Sequence, residues 1–107
     1  MSLSLADLTA RMHAMVSDKG WDAPHSARRQ TPRNIAISLV LEASEVLEHF
    51  QWGEASADRD ALAAELADVL LYLMQLASVH DIDLEGAVLA KIAHNYTRSW
   101  DDETLNR

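Results

Sequence analysis

The segment ALAAELADVLLYLMQLASV, residues 61–79, decides the fold of this chain. The segment is too long for an ordinary strand, which predicts a helix. Its leucine, valine and methionine residues would then cover almost every side of that helix, which would be apolar nearly all round. At about 3.6 residues per turn, however, Glu65, Asp68, Tyr72 and Gln75 fall into one narrow stripe. We therefore expect a core helix whose polar stripe faces a site and not bulk water, and its acidic residues argue against a membrane span.

A second segment, ISLVLEASEVLEHFQW over Ile37–Trp52, repeats this pattern less clearly. Glu42, Glu45 and His49 share one side of the predicted helix, because residues three and four apart are neighbours on a helix surface. Glu48 is rotated away from them, and we expect it in solvent. The helix thus presents a second pair of carboxylates at the same spacing.

The two acidic pairs, Glu42/Glu45 and Glu65/Asp68, predict a metal site. If the helices pack side by side, four carboxylates converge, and they repel one another and take up protons unless a cation joins them. Mg²⁺ suits such a set, because it takes oxygen ligands and keeps waters for substrate phosphates, and Mn²⁺ is a workable substitute. The competing explanation, that such pairs only decorate an acidic surface, is weakened by two pairs in apolar surroundings. A di-iron bundle needs Glu-x-x-His pairs, and no Glu here has His three residues later.

Capping and breaking residues divide the chain into four predicted helices, with no alternating pattern typical of strands. Thr31 followed by Pro32 opens the second helix, and Asp83 can cap the fourth. A chain of 107 residues is long enough for one domain with its own core. We expect a single all-α domain over residues 1–107, a four-helix bundle with a frayed tail at about 101–107. The predicted helices span about Ser4–Asp18, Thr31–Trp52, Asp58–His80 and Asp83–Trp100.

Composition narrows the functional classes. A formal net charge of −8 disfavours binding to a nucleic-acid backbone, which takes clustered Lys and Arg. The absence of Cys excludes disulfides, thiolate zinc sites and cysteine nucleophiles. The first residues, MSLSLADLTARMH, lack a basic start followed by a long apolar run and so do not read as a secretory signal. We expect a cytoplasmic protein without nucleic-acid or membrane partners.

Several motifs follow one another along the chain: PRN at the start of the second helix, EASE and FQW further along it, ELAD on the third helix and KIAHNYTR on the fourth. Together with Trp21 before the second helix, they resemble the MazG-type all-α nucleotide pyrophosphohydrolases, and more closely their dCTP pyrophosphatase branch. The resemblance covers about Trp21–Arg98, with nearly constant spacing after Pro32.

The resemblance implies Mg²⁺-dependent hydrolysis of a nucleoside triphosphate to a monophosphate and pyrophosphate, in a dimer or a dimer of dimers assembled through helix packing. The expected substrate is dCTP or a modified or non-canonical dNTP, as in nucleotide-pool housecleaning. Glu42 or Glu45 would orient the attacking water, and Lys91 and Arg98 would stabilise charge on the phosphates. By the same resemblance, the metal ligands are Glu42, Glu45, Glu65 and Asp68, the phosphate contacts are Tyr72, Lys91, Asn95 and Arg98, and the base contacts are Trp21, Trp52 and His25.

The chain departs from the dCTP branch in the loop before the second helix. Ala23–Gln30 aligns poorly there because the loop is longer, which leaves the base preference open. Arg28 and Arg29 in this loop are either solvated, which we favour, or reach the triphosphate from a mobile loop. Two other functions remain as alternatives. One is a helical interaction module without catalysis, whose acidic stripes would form an oligomer seam or a partner groove. The other is a phosphoribosyl-ATP pyrophosphatase, which Trp21 and the FQW motif fit less well.

Overall fold

The computed structural model describes residues 2–98, and within them the chain folds into four α-helices without a strand. This confirms the predicted all-α class. The predicted frayed tail at 101–107 and the predicted end of the last helix at Trp100 lie outside the described residues. In chain order the helices are α1 (Leu5–Asp18), α2 (Pro32–Glu48), α3 (Arg59–Val79) and α4 (Leu84–Tyr96).

Each helix begins after a polar capping residue, as predicted for Thr31 and Asp83. The side chains of Ser4, Thr31, Asp58 and Asp83 each accept a hydrogen bond from the backbone N–H three residues later. At the start of α1 the Asp7 carboxylate also accepts from the backbone of Ser4, which completes a capping box. Such caps satisfy N–H groups that the helix itself leaves unpaired, and each contributes about 1 kcal/mol.

The second helix ends at Glu48 and not at the predicted Trp52. The chain leaves the helix at His49 and continues in turns, where His49 and Phe50 donate backbone hydrogen bonds to carbonyls three residues back instead of four. The His49 side chain also contacts the next loop, where its Nδ1 lies 2.8 Å from Oγ of Ser56. Trp52 therefore lies in a turn, where it is 91 % exposed.

The central element is α3, with α2 packed along one side and α1 along another. The core is small: Met12 and Val16 of α1 meet Met74 of α3, and the partly buried Leu71 and Leu84 pack around them. The last helix, α4, lies mainly against α1, and none of its residues is fully buried. The predicted four-helix bundle is therefore only partly formed in one chain, because α4 does not pack along the α2–α3 pair.

The apolar surface of α3 is not covered all round, in contrast to the prediction. Leu66, Leu70 and Leu73 remain exposed on α3, and Val40 and Leu47 remain exposed on α2. One chain has too few helices to enclose a helix that is apolar on nearly every side. By length and composition α3 could also cross a membrane, the one such helix among residues 2–98, but it carries an acidic pair and packs against α1 and α2.

Candidate active site

The packing of α2 on α3 brings the two acidic pairs together, as the helix periodicity predicts. Glu42 is partly buried, and the charges of Glu45, Asp68 and Glu65 all act on it. Burial raises the pKa of the Glu42 carboxyl, and a hydrogen bond with Glu45 and the charges of the neighbouring carboxylates raise it further. The four carboxylates therefore form one electrostatically connected group.

One oxygen of this group has no partner. Oε2 of Glu42 is buried and receives no hydrogen bond from any residue in the range 2–98. A buried carboxylate oxygen in that state is costly, and a divalent cation would satisfy it. The donor set consists of oxygen atoms, which matches the preference of Mg²⁺ and Mn²⁺. The residues present therefore fit the predicted metal, with Glu42, Glu45, Glu65 and Asp68 as its candidate ligands.

The carboxylates are nevertheless not arranged as a ready-made ligand set. In the part of the chain that the structure describes, no three acidic or histidine side chains are gathered closely enough to hold a metal ion. Glu65 instead contacts Nε2 of His49 through its Oε2 atom. Metal binding here would require side-chain rotation, and the four-ligand set stays a prediction.

His49 connects the end of α2 to α3. Its Nδ1 faces the Ser56 hydroxyl in the loop before α3, and its Nε2 contacts the Glu65 carboxylate on α3 itself. The sequence places His49 on the same stripe as Glu42 and Glu45 but assigns it no role. The sequence does not show that His49 contacts Glu65, because Glu65 lies sixteen residues further along the chain and becomes a neighbour only when α2 packs on α3.

A cavity of about 510 Å³ opens beside Asp68. Its wall combines α1, the loop after it, α2 and α3, and it includes Trp21, Asp68 and Tyr72. The resemblance assigns these three residues to base, metal and phosphate contacts. The volume lies within the range of small-molecule sites, roughly 300–1,000 Å³. The structure thus brings three of the predicted site residues to one ligand-sized cavity.

The other five predicted base and phosphate contacts do not line this cavity, and neither do Glu42, Glu45 and Glu65. Trp52 and His25 are exposed, the first in the turn after α2 and the second in the loop before it. Lys91 is exposed on α4, and close to the end of that helix Nη1 of Arg98 donates a hydrogen bond to Oδ1 of Asn95 at 3.1 Å. The absence of the three α4-side residues Lys91, Asn95 and Arg98 follows from the position of α4, which packs mainly on α1. Contact of these five residues with a substrate stays a prediction.

The loop between α1 and α2 forms part of the cavity wall. Arg28 and Arg29 line the cavity, although both side chains are also exposed, as predicted. Gln30 reaches across to α3, where Nε2 of Gln75 donates a hydrogen bond to Oε1 of Gln30 at 2.5 Å. The periodicity of α3 places Gln75 on the polar stripe, but only the folded chain shows its partner in the loop.

The fold and the site together define an all-α protein in which two packed helices, each with a pair of carboxylates, border a ligand-sized cavity. The MazG-like family model matches residues 37–105 of the chain. The chain therefore belongs to the MazG-like family, which confirms the resemblance carried by its motifs.

Known relatives are similar over most of this chain. Human dCTP pyrophosphatase 1 is 38 % identical over 98 residues, which cover 82 % of this chain and 55 % of that protein. A dATP/dGTP diphosphohydrolase of cyanophage S-2L is 31 % identical over 100 residues, which cover 94 % of this chain and 81 % of that protein. The crystal structure of a pyrophosphatase from Archaeoglobus fulgidus matches with a TM-score of 0.69 at 31 % identity and covers 89 % of this chain and 91 % of that one. The chain spans about half the length of the dCTP pyrophosphatases it matches.

Proposed function

We propose that this protein hydrolyses a (deoxy)nucleoside triphosphate to the nucleoside monophosphate and pyrophosphate with the help of a divalent metal ion. The observation that carries the proposal is the buried, unpartnered oxygen of Glu42, on which three further carboxylates act beside a cavity lined by Trp21 and Tyr72. Relatives named dCTP pyrophosphatase and dATP/dGTP diphosphohydrolase support the same class of reaction.

The acidic pairs would hold the metal, Mg²⁺ or Mn²⁺ in its place. When bound, such an ion neutralises phosphate charge and polarises a phosphoryl oxygen. The protein carries a net charge of −8 and the substrate is also anionic, so the approach of the two depends on a cation. Glu42 or Glu45 would orient the attacking water and accept its proton, while Glu65 and Asp68 complete the ligand set from the neighbouring helix.

The substrate would occupy the cavity with its phosphates at the acidic end. Asp68 marks that end, and Tyr72 follows it along α3 as a phosphate contact. Trp21 offers an aromatic face on which a base can stack. Arg28 and Arg29 add positive charge to the same wall, which favours a polyanionic ligand.

The fourth helix would supply further phosphate contacts through Lys91, Asn95 and Arg98, with Lys91 as a catalytic cation. Because α4 packs mainly on α1 within one chain, these contacts require α4 of a second copy or a movement of α4. Association through helix packing, into a homodimer or a homotetramer, is therefore part of the proposal. The exposed apolar surface of α2 and α3 supports it. Trp52 and His25 are proposed as additional base contacts in such an assembly.

The preferred substrate is proposed to be dCTP or a modified or non-canonical dNTP, removed in nucleotide-pool housecleaning in the cytoplasm. The two named relatives act on different bases, by their names, so similarity supports the class of reaction more directly than the base. The longer loop at Ala23–Gln30 forms part of the cavity wall. A base preference different from that of the dCTP branch would therefore arise in this loop.

A panel of canonical and damaged dNTPs tests the proposal. The protein with Mg²⁺ is expected to release monophosphate and pyrophosphate in equal amounts from at least one of them, and EDTA is expected to abolish release. Alanine at one of the four proposed metal ligands is expected to lower kcat/KM by about 100-fold or more. Glu48→Ala, at an exposed position on the same helix, is the control and is expected to keep full activity. Full Mg²⁺-dependent activity in an alanine variant of Glu42, Glu45, Glu65 or Asp68 would contradict this site.

A helical interaction module without catalysis is the second candidate, because much apolar surface is exposed in the single chain. In that case the acidic stripes would form an oligomer seam or a partner groove. Thermal unfolding separates the two candidates. A catalytic site is stabilised by Mg²⁺ together with a non-hydrolysable nucleotide, whereas an interaction module shows no such response.

A further inference from the structure

Gln75 is the one polar side chain that is fully buried among residues 2–98, at 6 % exposed. It follows Asp68 and Tyr72 along the polar stripe of α3, and all three line the 510 Å³ cavity. Its Nε2 donates to Oε1 of Gln30 at 2.5 Å, and Nε2 of Gln30 donates to the backbone carbonyl of Arg28 at 2.8 Å. Two side-chain amides in series thus join α3 to the loop that forms the cavity wall.

This series of hydrogen bonds sets the orientation of the Gln75 amide. A backbone carbonyl only accepts hydrogen bonds, so Gln30 turns its NH₂ group toward Arg28 and its oxygen toward α3. Gln75 then turns its own NH₂ group toward Gln30, which leaves its Oε1 without a hydrogen-bond partner among residues 2–98. An amide oxygen held in this way at a cavity wall is costly unless a water or a ligand donates to it.

The position of Gln75 suits the base end of a nucleotide. Asp68 and Gln75 are seven residues apart on α3, which corresponds to about 10 Å along the helix axis. Phosphates at the acidic end therefore leave the sugar and base to extend toward Gln75. Trp21 lines the same cavity and offers a face for stacking, whereas the Gln75 amide is placed to meet the edge of the base.

We propose that Gln75, oriented by Gln30, contacts the edge of the substrate base and selects bases that carry an amino group at C4 of a pyrimidine or C6 of a purine. The proposal rests on the proposed function and deepens it. Oε1 of Gln75 accepts a hydrogen bond from the N4 amino group of cytosine or the N6 amino group of adenine. Uracil, thymine and hypoxanthine carry a carbonyl oxygen at the corresponding position, and two acceptors facing each other are unfavourable.

The long loop takes part in this selection through Gln30. Without it, the Gln75 amide is free to turn end for end and present its NH₂ group to a carbonyl. Gln30 is therefore a positioning residue, and Gln75 is the residue that contacts the base. The loop in which this chain departs from the dCTP branch thus supplies the group that sets the base preference.

Paired substrates test the proposal on the full chain: dCTP against dUTP, and dATP against dITP, each pair differing in an amino or a carbonyl group. In the wild type, kcat/KM is expected to favour the amino member by about tenfold or more. Gln75→Met keeps the size of the side chain without its hydrogen-bonding groups, and it is expected to remove most of this preference. Gln30→Met is expected to reduce the preference mainly by raising kcat/KM for the carbonyl member.

Gln51→Met is the matched control, because Gln51 is an exposed glutamine that does not line the cavity, and it is expected to keep the wild-type ratio. Circular dichroism and Tm establish that each variant is folded, and if Gln75→Met does not fold, the less buried Gln30→Met decides. A wild-type ratio near one, or an unchanged ratio in the folded variants, overturns the role of Gln75 and leaves hydrolysis intact. Absence of hydrolysis with every dNTP instead refutes the proposed function, and thermal shifts with non-hydrolysable dCTP and dUTP analogues then test the selection by binding alone.

Discussion

At Glu42 the fold keeps a carboxyl group where its charge is unfavourable. Burial, and then the hydrogen bond with Glu45 and the charges of Asp68 and Glu65, raise the pKa of Glu42. A carboxyl group whose pKa is higher in the folded than in the unfolded chain stabilises the fold below the unfolded pKa, and this contribution is lost as the pH rises through the folded pKa. Glu42 therefore lowers the stability of the metal-free protein at neutral pH, and the proposed cation would offset that loss.

Glu42→Gln is expected to raise Tm in EDTA at pH 7, because the substitution removes a partly buried charge and keeps the size of the side chain. A gain of about 1 kcal/mol corresponds to about 4–8 °C in a domain of this size. The gain is expected to shrink as the pH falls through the raised pKa of Glu42, where the wild type takes up its proton. Added Mg²⁺ is expected to reverse the order, since the wild type alone keeps every ligand. The exposed Glu48→Gln serves as control, and a lower Tm of Glu42→Gln in EDTA at pH 7 would count against a metal site here.

His49 contacts Glu65 from outside the proposed ligand set, and groups in this position commonly orient a ligand. His49→Ala is expected to weaken Mg²⁺ binding by about 10–100-fold, measured by calorimetric titration. Ser56→Ala removes only the partner of Nδ1 and is expected to have a smaller effect in the same direction. His94→Ala, at an exposed position on α4, is the control. Unchanged Mg²⁺ affinity in His49→Ala would show that the contact only joins the two helices.

Among the helices, α3 serves both the core and the site. Met74 and Ala77 are buried on it, while Asp68, Tyr72 and Gln75 line the cavity. The buried side chains and the cavity-lining side chains are held at fixed positions on the same helix. The packing of the buried side chains in the core therefore also determines where the polar groups of the cavity lie. The start of α3 therefore matters to the site as well as to stability.

Asp58→Ala removes the cap of α3 and is expected to lower the free energy of unfolding by about 1 kcal/mol. Urea denaturation measures the change. Asp60→Ala is the matched control, because Asp60 also lies in the first turn and carries the same charge but does not cap the helix. Equal losses in the two variants would assign the effect to the helix dipole and not to the cap.

The whole chain leaves a large apolar surface uncovered, on α2, α3 and α4 alike. Surfaces of this kind on small domains mark contacts with other chains. The phosphate-contacting residues proposed on α4 also lie outside the cavity of their own chain. Both observations support the proposed assembly, in which helices of two or more copies would share one site.

Light scattering is expected to show a dimer or a tetramer of the wild type. Leu47→Glu places a charge at a position on α2 that is 69 % exposed in the single chain, and it is expected to shift the protein toward the monomer and lower its activity. Ala10→Glu, at an exposed position on α1, is the control and is expected to leave the assembly unchanged. A monomeric wild type with full activity would refute the proposed assembly.

The four helices, the caps Thr31 and Asp83 and the acidic stripe were readable in the sequence, because periodicity and capping depend on residues within a few positions of one another. Ser4, Thr31, Asp58 and Asp83 begin helices for reasons that each segment contains. The family was readable for a similar reason, since its motifs are short runs in a constant order.

Contacts between distant residues were not readable in this way. Neither the contact of His49 with Glu65 nor that of Gln30 with Gln75 has a local pattern, because each exists only after helices and loop have packed. The early end of α2 and the place of α4 against α1 likewise follow from packing energies that no single segment contains. Helix periodicity thus located the carboxylates, whereas the contacts that distant residues make, such as that of His49 with Glu65, exist only in the packed chain.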